Sequence, residues 1–339
     1  MGRVAVIDIG TVTCRLGVAD VAGGRVERCA KTSTICNLGE GVAQTGRLSE
    51  AACERVVTCV DKALANARAA SAPAACCTLT SAARDASNSS VLLDALRARG
   101  VVPQVIPGEV EGSLTFLGVA QDFRGERIMV ADNGGGSTEI AVGTLADTIG
   151  PAGAVAGPGS LELEAVRSLN VGCRRVTDLF LSREGSPALA SLADARAFCR
   201  DVFARELPDA ARGPKAPGRL VCVGGTVTTL VAIDAKLDPY DPSYVHLHDL
   251  TLDEVDALAS RLAALPLEKR REVVGLQPKR AGVIVAGAVC VGELMRACGV
   301  ERLTVSESDL LFGLSLVTDA VAGGKTSPVG WRPELFALR

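Results

Sequence analysis

The feature that most constrains this chain is a pattern written twice. Val4–Ile9 is a short apolar run that ends in Asp8-Ile9-Gly10, then passes through Thr11-Val12-Thr13 into a second apolar run, Cys14–Val21. Arg127–Asp132 is another such run. It ends in Asp132-Asn133-Gly134-Gly135-Gly136 and continues as Ser137–Gly143. Short apolar runs bounded by Gly, Asp and Asn read as buried strands joined by tight turns. Each half of the chain therefore opens with strand, Asp-x-Gly turn, strand. Such a chain is expected to fold as two related α/β domains with helices packed on their sheets.

The rest of the pattern fills in that frame. Gly23-Gly24 turns the first meander into a strand over Arg25–Lys31. Ser49 caps a helix to about Ala70, with Glu50 and Glu54 near its positive end. Ala75–Thr80 reads as a strand, Asn88–Arg99 as a helix closed by Gly100, Val102–Ile106 as a strand, and Glu109–Ala120 as a helix entered through Pro107-Gly108. In the second half the expected elements are a strand over Ala146–Ala154, helices over Leu161–Ser168 and Ala188–Glu206, and a Gly/Pro-rich loop over Ala211–Gly218. A strand over Arg219–Val223 then runs into a helix at Gly224-Gly225-Thr226. Helices over Thr251–Leu265, Leu267–Val274 and Pro278–Ala297, a strand over Arg302–Val305 and a helix near Ser308–Ala322 complete the chain. The boundary falls at Arg124-Gly125, which gives domains over 1–125 and 126–339.

Composition narrows the function classes. Aromatic residues are only 3% of the 339, so the cores must be built from Ala, Val and Leu. A net charge of −3 speaks against general affinity for nucleic acid or membranes, and any polyanion must be held by local basic groups. The 12 cysteines are scattered without a C-x-x-C pair, which reads as buried free thiols in a reducing cytosol. The N-terminal apolar run is too short for a secretory signal. The longest apolar stretch, Ala281–Val291, is far short of a membrane span. The expected location is the cytoplasm. The two histidines, His246 and His248, read as loop residues.

Three elements point to anion chemistry. Gly10, Thr11 and Thr13 follow a strand-end carboxylate, Asp8. Gly134, Gly135, Gly136 and Ser137 let backbone N–H groups approach an anion with no Cβ in the way, between Asp132 and Glu139. Those carboxylates, with Asp8, are oxygen ligands of the kind Mg²⁺ takes. Gly224, Gly225 and Thr226 open a helix at a strand end, a third anion site. Two further segments are open to two readings. Glu109 and Glu111 lie in a first helical turn, where they either favour the helix dipole or include a general base for water. Arg84 follows a strand as either a phosphate clamp or a solvated charge. Lys269, Arg270, Arg271, Lys279 and Arg280 form either a basic surface for a polyanion or a solvated helix face, since Glu268 and Glu272 flank the first three.

Taken in order, these motifs resemble the exopolyphosphatase/guanosine pentaphosphatase (Ppx/GppA) phosphatase family. The resemblance rests on Asp8-Ile9-Gly10 with Arg15-Leu16, Thr80–Asn88, Gly108–Gly112 with Leu114, Phe116 and Gly118, and Asp132–Glu139. It continues through Gly224–Leu230, Val245-His246, Arg280, Ile284, Ala286-Gly287 and Val305-Ser306-Glu307. It implies two actin-like (ribonuclease H-like) α/β domains with a cleft between them, in a short form without the C-terminal helical domain. It also implies Mg²⁺-dependent release of terminal phosphate from polyphosphate or guanosine pentaphosphate, with Glu111 rather than Glu109 as the catalytic base. The segment from about 308 is expected to pack back on the first domain, and homodimer formation is left open. The chain departs from the family at Thr11-Val12-Thr13, Asn133, Thr177-Asp178 and Ser308-Asp309. The alternatives are a weakly catalytic regulator that binds guanosine penta- or tetraphosphate and an ATP-using phosphotransferase of the same fold.

Overall fold

The computed structural model describes residues 2–147, 160–181 and 186–338. The chain divides into two compact units that are discontinuous in sequence. Met1–Arg127, Gly143–Glu164 and Ser308–Arg339 form the first, and Ile128–Val142 with Ala165–Glu307 the second. In chain order the first half contributes β1 (Gly2–Ile9), β2 (Thr13–Ala22), β3 (Arg25–Ile35), α1 (Val42–Thr45), α2 (Glu50–Ala69), β4 (Ala74–Leu79), α3 (Ser81–Asp85), α4 (Ser89–Arg97), β5 (Pro103–Val105) and α5 (Gly108–Val119). The remainder contributes β6 (Arg127–Asn133), β7 (Thr138–Leu145), β8 (Leu161–Leu169), α6 (Cys173–Phe180), α7 (Leu189–Glu206), β9 (Leu220–Val223), α8 (Gly225–Asp234), α9 (Pro242–Val245), β10 (Asp249–Thr251), α10 (Leu252–Ala263), α11 (Leu267–Arg270), α12 (Ile284–Cys298), β11 (Arg302–Val305) and α13 (Leu310–Ala322).

The first sheet has the order β3-β2-β1-β4-β5. β1, β2 and β3 form an antiparallel meander, while β1 runs parallel to β4 and β4 to β5. The register sets Asp8 opposite both Arg15 and Thr78, at the carboxyl ends of the two central parallel strands. The core is aliphatic, with Ile7, Ile9, Leu38, Val56, Leu64, Leu79, Leu92 and Leu96 all buried. α2 reaches it with Ala52, Val56, Val60, Ala63, Leu64 and Ala67, a stripe at helical spacing. Its first turn is capped by Ser49, whose side chain accepts from the Ala52 N–H.

α5 is buried over most of its circumference, from Glu111 and Gly112 through Leu114 to Val119. It packs directly on α13, and two glycines make that approach possible. A Cβ at Gly313 would stand 1.8 Å from the Leu114 carbonyl oxygen, and one at Gly118 would stand 2.3 Å from that of Asp309. α13 also packs against β1, β2 and β4. Farther along, Phe336 exchanges two backbone hydrogen bonds with Ala75, at 2.9 and 3.0 Å, and buries its ring in the aliphatic core.

The second sheet has the order β10-β11-β9-β6-β7-β8, with β6 parallel to β9, β9 parallel to β11 and β10 antiparallel to β11. Met129, Ile140, Phe203, Leu230, Leu250, Leu294 and Val305 are among its buried core residues. α12 is buried on nearly every side. A Cβ on its Gly287 would meet the Thr226 hydroxyl at 2.5 Å, so the Thr226 side chain of α8 packs directly on the bare backbone of α12.

Two expectations are corrected. Leu161–Ser168 is not a helix but most of β8. Leu161-Glu162-Leu163-Glu164 alternates apolar and charged residues with period two, and the burial alternates with it. The helix expected over Leu267–Val274 ends at Arg270, and left-handed Gly275 (φ 85°) turns the chain on toward α12. Cys173–Phe180 and Asp249–Thr251 form an additional helix and strand. The strand expected over Ala146–Ala154 lies almost entirely outside the described residues.

Because the Gly313 site is closed by backbone, Gly313→Ala must push α5 and α13 apart. Overpacking of this kind costs about 1–3 kcal/mol. The expected result in urea unfolding is a lower midpoint with an unchanged slope, and a wild-type midpoint would show that the two helices yield freely.

Candidate active site

The two repeated turns are built alike. The Gly10 N–H donates to the Thr13 carbonyl at 2.8 Å, and the Gly134 N–H donates to the Ser137 carbonyl at 3.0 Å. Neither of those N–H groups is therefore left for a ligand, and the amides of the residues that follow are the ones to account for. In the first turn the Thr11 carbonyl accepts from the Gly39 N–H at 2.8 Å. The Val12 carbonyl accepts from the N–H groups of Cys36 and Asn37, both at 2.9 Å. In the second turn the Gly134 carbonyl accepts from the Cys173 N–H at 3.0 Å. The Gly135 carbonyl accepts from the Arg174 and Arg175 N–H groups at 2.8 and 3.0 Å. The Gly136 carbonyl accepts from Arg175 Nε at 2.7 Å.

A planar trans peptide sets the carbonyl of one residue and the N–H of the next on opposite sides. Among the described residues the one cis bond is Asp238-Pro239, so these peptides are trans. Drawing the carbonyls to one side turns the N–H groups of Val12 and Thr13 to the other in the first turn, and those of Gly135, Gly136 and Ser137 in the second. Successive N–H groups turned one way form an anion-binding concavity. Each arrangement needs a bare backbone behind it. A Cβ at Gly39 would stand 2.3 Å from Thr11 Cγ2, and one at Gly172 would stand 2.6 Å from the Gly135 carbonyl.

The carboxylates beside the turns differ in surroundings. Asp8 Oδ2 accepts from Arg15 Nε and Nη2 at 3.0 and 2.7 Å, and Arg15 Nη1 donates to Asp309 Oδ2 at 2.9 Å. Asp309 also caps α13, its Oδ1 accepting from the Leu311 N–H at 2.9 Å, and Lys31 Nζ lies 3.8 Å from it. Burial pushes the Asp8 carboxyl above its usual range while Arg15 pulls it down. In the second unit, counting outward from the Gly134–Ser137 bond sets Asp132 opposite Glu139, where the first unit has Asp8 opposite Arg15. Glu139 Oε1 accepts from the Ser168 hydroxyl at 2.6 Å. Asn133 pins the turn: its Nδ2 donates to Thr138 Oγ1 at 2.9 Å, and that hydroxyl donates to the Val171 carbonyl at 2.6 Å.

The structure separates the two glutamates. Glu109 is exposed, whereas Glu111 is 7% exposed and accepts from Arg84 Nη1 at 2.7 Å. The same Arg84 nitrogen donates to the Ile106 carbonyl at 2.9 Å. Arg84 therefore sits on the carboxylate of α5. The end of its motif is structural, since Asn88 accepts from the Leu48 N–H at 2.8 Å and donates to the Leu48 carbonyl at 3.0 Å.

In the second unit Gly224 (φ 102°) leads into α8, a conformation that favours glycine, and a Cβ there would lie 2.9 Å from the Asn133 carbonyl and 3.1 Å from Asp132 Oδ1. The Arg280 guanidinium occupies the space a Gly225 side chain would need. Gly224, Gly225, Arg280 and Asp132 thus gather at the carboxyl ends of the central strands β6 and β9, with Thr226 buried behind them. The other basic residues do not join them in one surface. Arg270 is 3% exposed and donates to the carbonyls of Leu262, Leu265 and Ala281, so it is a buried structural arginine whose burial lowers its pKa. Lys269 pairs with Glu272 at 3.0 Å and Arg271 with Glu268 at 2.7 Å. Lys279 lies on the exposed turn before Arg280.

The donor set suits a metal that brings other ligands with it. Among the described residues no cluster of three His, Cys, Asp or Glu side chains forms a cage. Mg²⁺ needs only one or two carboxylates when phosphates and waters complete its shell. Asp8 Oδ1 is buried without a hydrogen-bond partner, an oxygen of the required type, and Asp132 is buried at the edge of the glycine-rich turn.

Sequence reasoning missed Gly172, Arg175 and the helix they begin. The available signal was a glycine followed by two arginines, Gly172-Cys173-Arg174-Arg175, just after a strand.

Two α/β units, each opening on a strand, a glycine-bearing turn whose carbonyls are held from behind, and a second strand, are the frame of a phosphate-handling enzyme of the actin-like class. The sequence matches the Ppx/GppA phosphatase family over residues 17–315, and the chain belongs to that family. Exopolyphosphatase 2 of Mycobacterium tuberculosis is 33% identical over 331 residues, covering 93% of this chain and 98% of that one. The crystal structure of an exopolyphosphatase-like protein superposes with a TM-score of 0.81 at 28% identity, covering 93% of this chain and 97% of the other. The Aquifex aeolicus member of the family superposes with a TM-score of 0.74 at 26% identity, over 96% and 99%. The chain is a phosphoanhydride hydrolase with the actin-like fold of its family. Among the described residues no helix is long and apolar enough to cross a membrane.

The Arg84–Glu111 contact can be measured directly. Residues in contact typically couple by about 0.5–3 kcal/mol. Arg84→Met is expected to destabilise the wild type by more than it destabilises the Glu111→Gln background, and equal costs in thermal unfolding would mean the pair is energetically silent.

Proposed function

We propose that the enzyme is an exopolyphosphatase that removes the terminal phosphate of inorganic polyphosphate, with water activated by Glu111. The observation that carries this reading is the buried Glu111 carboxylate, held in the first turn of α5 by Arg84. The names of the relatives support the substrate class. Water attacks the terminal phosphorus and gives a proton to Glu111, the anhydride P–O bond breaks, and orthophosphate leaves a chain one unit shorter. The remaining work is positioning and charge neutralisation, which suits phosphoryl transfer. The N–H groups of Val12 and Thr13, and those of Gly135, Gly136 and Ser137, bind equatorial phosphate oxygens in their respective units. Mg²⁺ would supply further neutralisation; the carboxylates able to hold it are Asp132 in the second unit, with Glu139 opposite, and, separately, the open oxygen of Asp8 in the first.

Arg84 positions the base, so the phosphate-binding role falls to the backbone amides. Arg280, beside Gly225, is the basic residue we assign to the polyanion.

The reading is tested by phosphate release from short polyphosphate, long polyphosphate and guanosine pentaphosphate side by side. Loss of a general base costs roughly 10²–10⁴ in rate. Glu111→Gln should fall in that range while still binding polyphosphate, and Glu109→Gln should stay close to wild type. Chelation should stop release and Mg²⁺ restore it. A dead Glu109→Gln beside an active Glu111→Gln would reverse the assignment. For the polyanion, Arg280→Ala should raise KM for long polyphosphate and flatten its salt dependence. Lys269→Ala and Arg271→Ala, whose partners are Glu272 and Glu268, should leave both unchanged.

A further inference from the structure

In the first turn every captured carbonyl is held by backbone N–H groups, those of Cys36, Asn37 and Gly39. The second turn differs at one point. The carbonyls of Gly134 and Gly135 are held by the backbone of α6, but the Gly136 carbonyl is held by a side chain, Arg175 Nε at 2.7 Å. Residue 136 lies beyond the reach of the α6 backbone, because the first turn of that helix is already spent on residues 134 and 135. The Arg175 guanidinium is itself steadied by the Asn170 side chain, at 3.5 Å.

That single contact governs one peptide plane. The Gly136–Ser137 plane turns about ψ of Gly136, which has no Cβ to restrict it, and φ of Ser137. Rotation of the Gly136–Ser137 plane would exchange the Ser137 N–H for the Gly136 carbonyl oxygen on the anion-binding side. A donor would be replaced by a repelling acceptor, in a site whose purpose is to hold negative charge. Arg175 opposes that rotation by giving the carbonyl a charge-assisted hydrogen bond on the far side.

We propose that Arg175 is a positioning residue for the phosphate reaction: its guanidinium fixes the Gly136–Ser137 peptide so that the Ser137 N–H faces the substrate. The inference rests on the phosphohydrolase reading above and adds the device that sets one of its donors. The arginine touches no substrate, and its effect is read through the orientation of the peptide.

The experiment compares Arg175→Met, which keeps the aliphatic stem, Arg175→Ala and Arg175→Lys, which keeps a cationic donor. Removing one preorganised oxyanion donor costs on the order of 10²–10³ in turnover. Arg175→Met and Arg175→Ala should share a fall in kcat of that order and a weaker inhibition by orthophosphate. Arg175→Lys should recover most of both. The thermal midpoint of Arg175→Met should stay close to that of the wild type, and if Arg175→Ala does not fold, the methionine and lysine variants carry the comparison. Wild-type kinetics and orthophosphate inhibition in Arg175→Met would overturn the proposal. So would a lysine variant no better than the methionine one. A wild-type enzyme that released no phosphate from any polyphosphate would sink the phosphohydrolase reading and this inference together, whereas an active wild type with an indifferent Arg175→Met sinks this inference alone.

Discussion

The orientation of a few peptide planes underlies everything the two turns can do. A glycine-rich turn is not by itself an anion site, because its carbonyls are as mobile as its amides. Here the carbonyls of Thr11 and Val12 are occupied by residues 36–39, and those of Gly134, Gly135 and Gly136 by residues 173–175. Each occupied carbonyl fixes an amide on the opposite side. The supporting segments must approach within backbone contact, which explains why Gly39 and Gly172, neither of them in the turns, admit no side chain. The glycines of the turns and the glycines behind them answer to the same constraint.

The repeated pattern has diverged in its electrostatics. In the first unit Asp8 faces Arg15, which reaches on to Asp309 at the start of α13. That chain of charge ties the first turn to a helix some 300 residues later in sequence. It also gives Asp309 two tasks, capping α13 and neutralising Arg15. In the second unit Asp132 has a glutamate in the place of the arginine. The first turn's carboxylate is matched by a guanidinium, whereas Glu139 in the second accepts from the Ser168 hydroxyl.

Much of this was legible in the sequence, and for identifiable reasons. Strand-end carboxylates followed by glycines are local signals, so Asp8-Ile9-Gly10, Asp132–Ser137 and Gly224-Gly225 mark the two sheets and the edges at which their functional residues gather. The buried face of α5 was not legible from its pattern, because the helix is apolar on most sides, and only the likeness to a known family singled out Glu111. The capture of the turn carbonyls was hidden for a different reason. Its partners lie 39 residues apart in the case of Gly136 and Arg175, and no local rule links them. Arg270 misled because a Lys-Arg-Arg run reads as surface, while the three carbonyls that bury it are supplied by residues 262, 265 and 281. The segment Leu161–Ser168, expected as a helix, is a strand whose alternation is present but short.

The composition of the first unit bears on how the protein is made. Its sheet is specified almost entirely by the first 105 residues. Yet α13, which covers β1 and supports α5, and Phe336, which bridges to Ala75 and enters the core, are supplied by residues beyond 308. Synthesis runs from the amino end, and domains generally fold as they emerge. The first unit cannot follow that order. Its early strands, with α2 in place but α13 not yet made, must wait while the entire second unit is translated, and the residues of the second unit, contiguous apart from Ile128–Val142, are all made before the first can close. The half of the protein that is read first is therefore the half that is finished last.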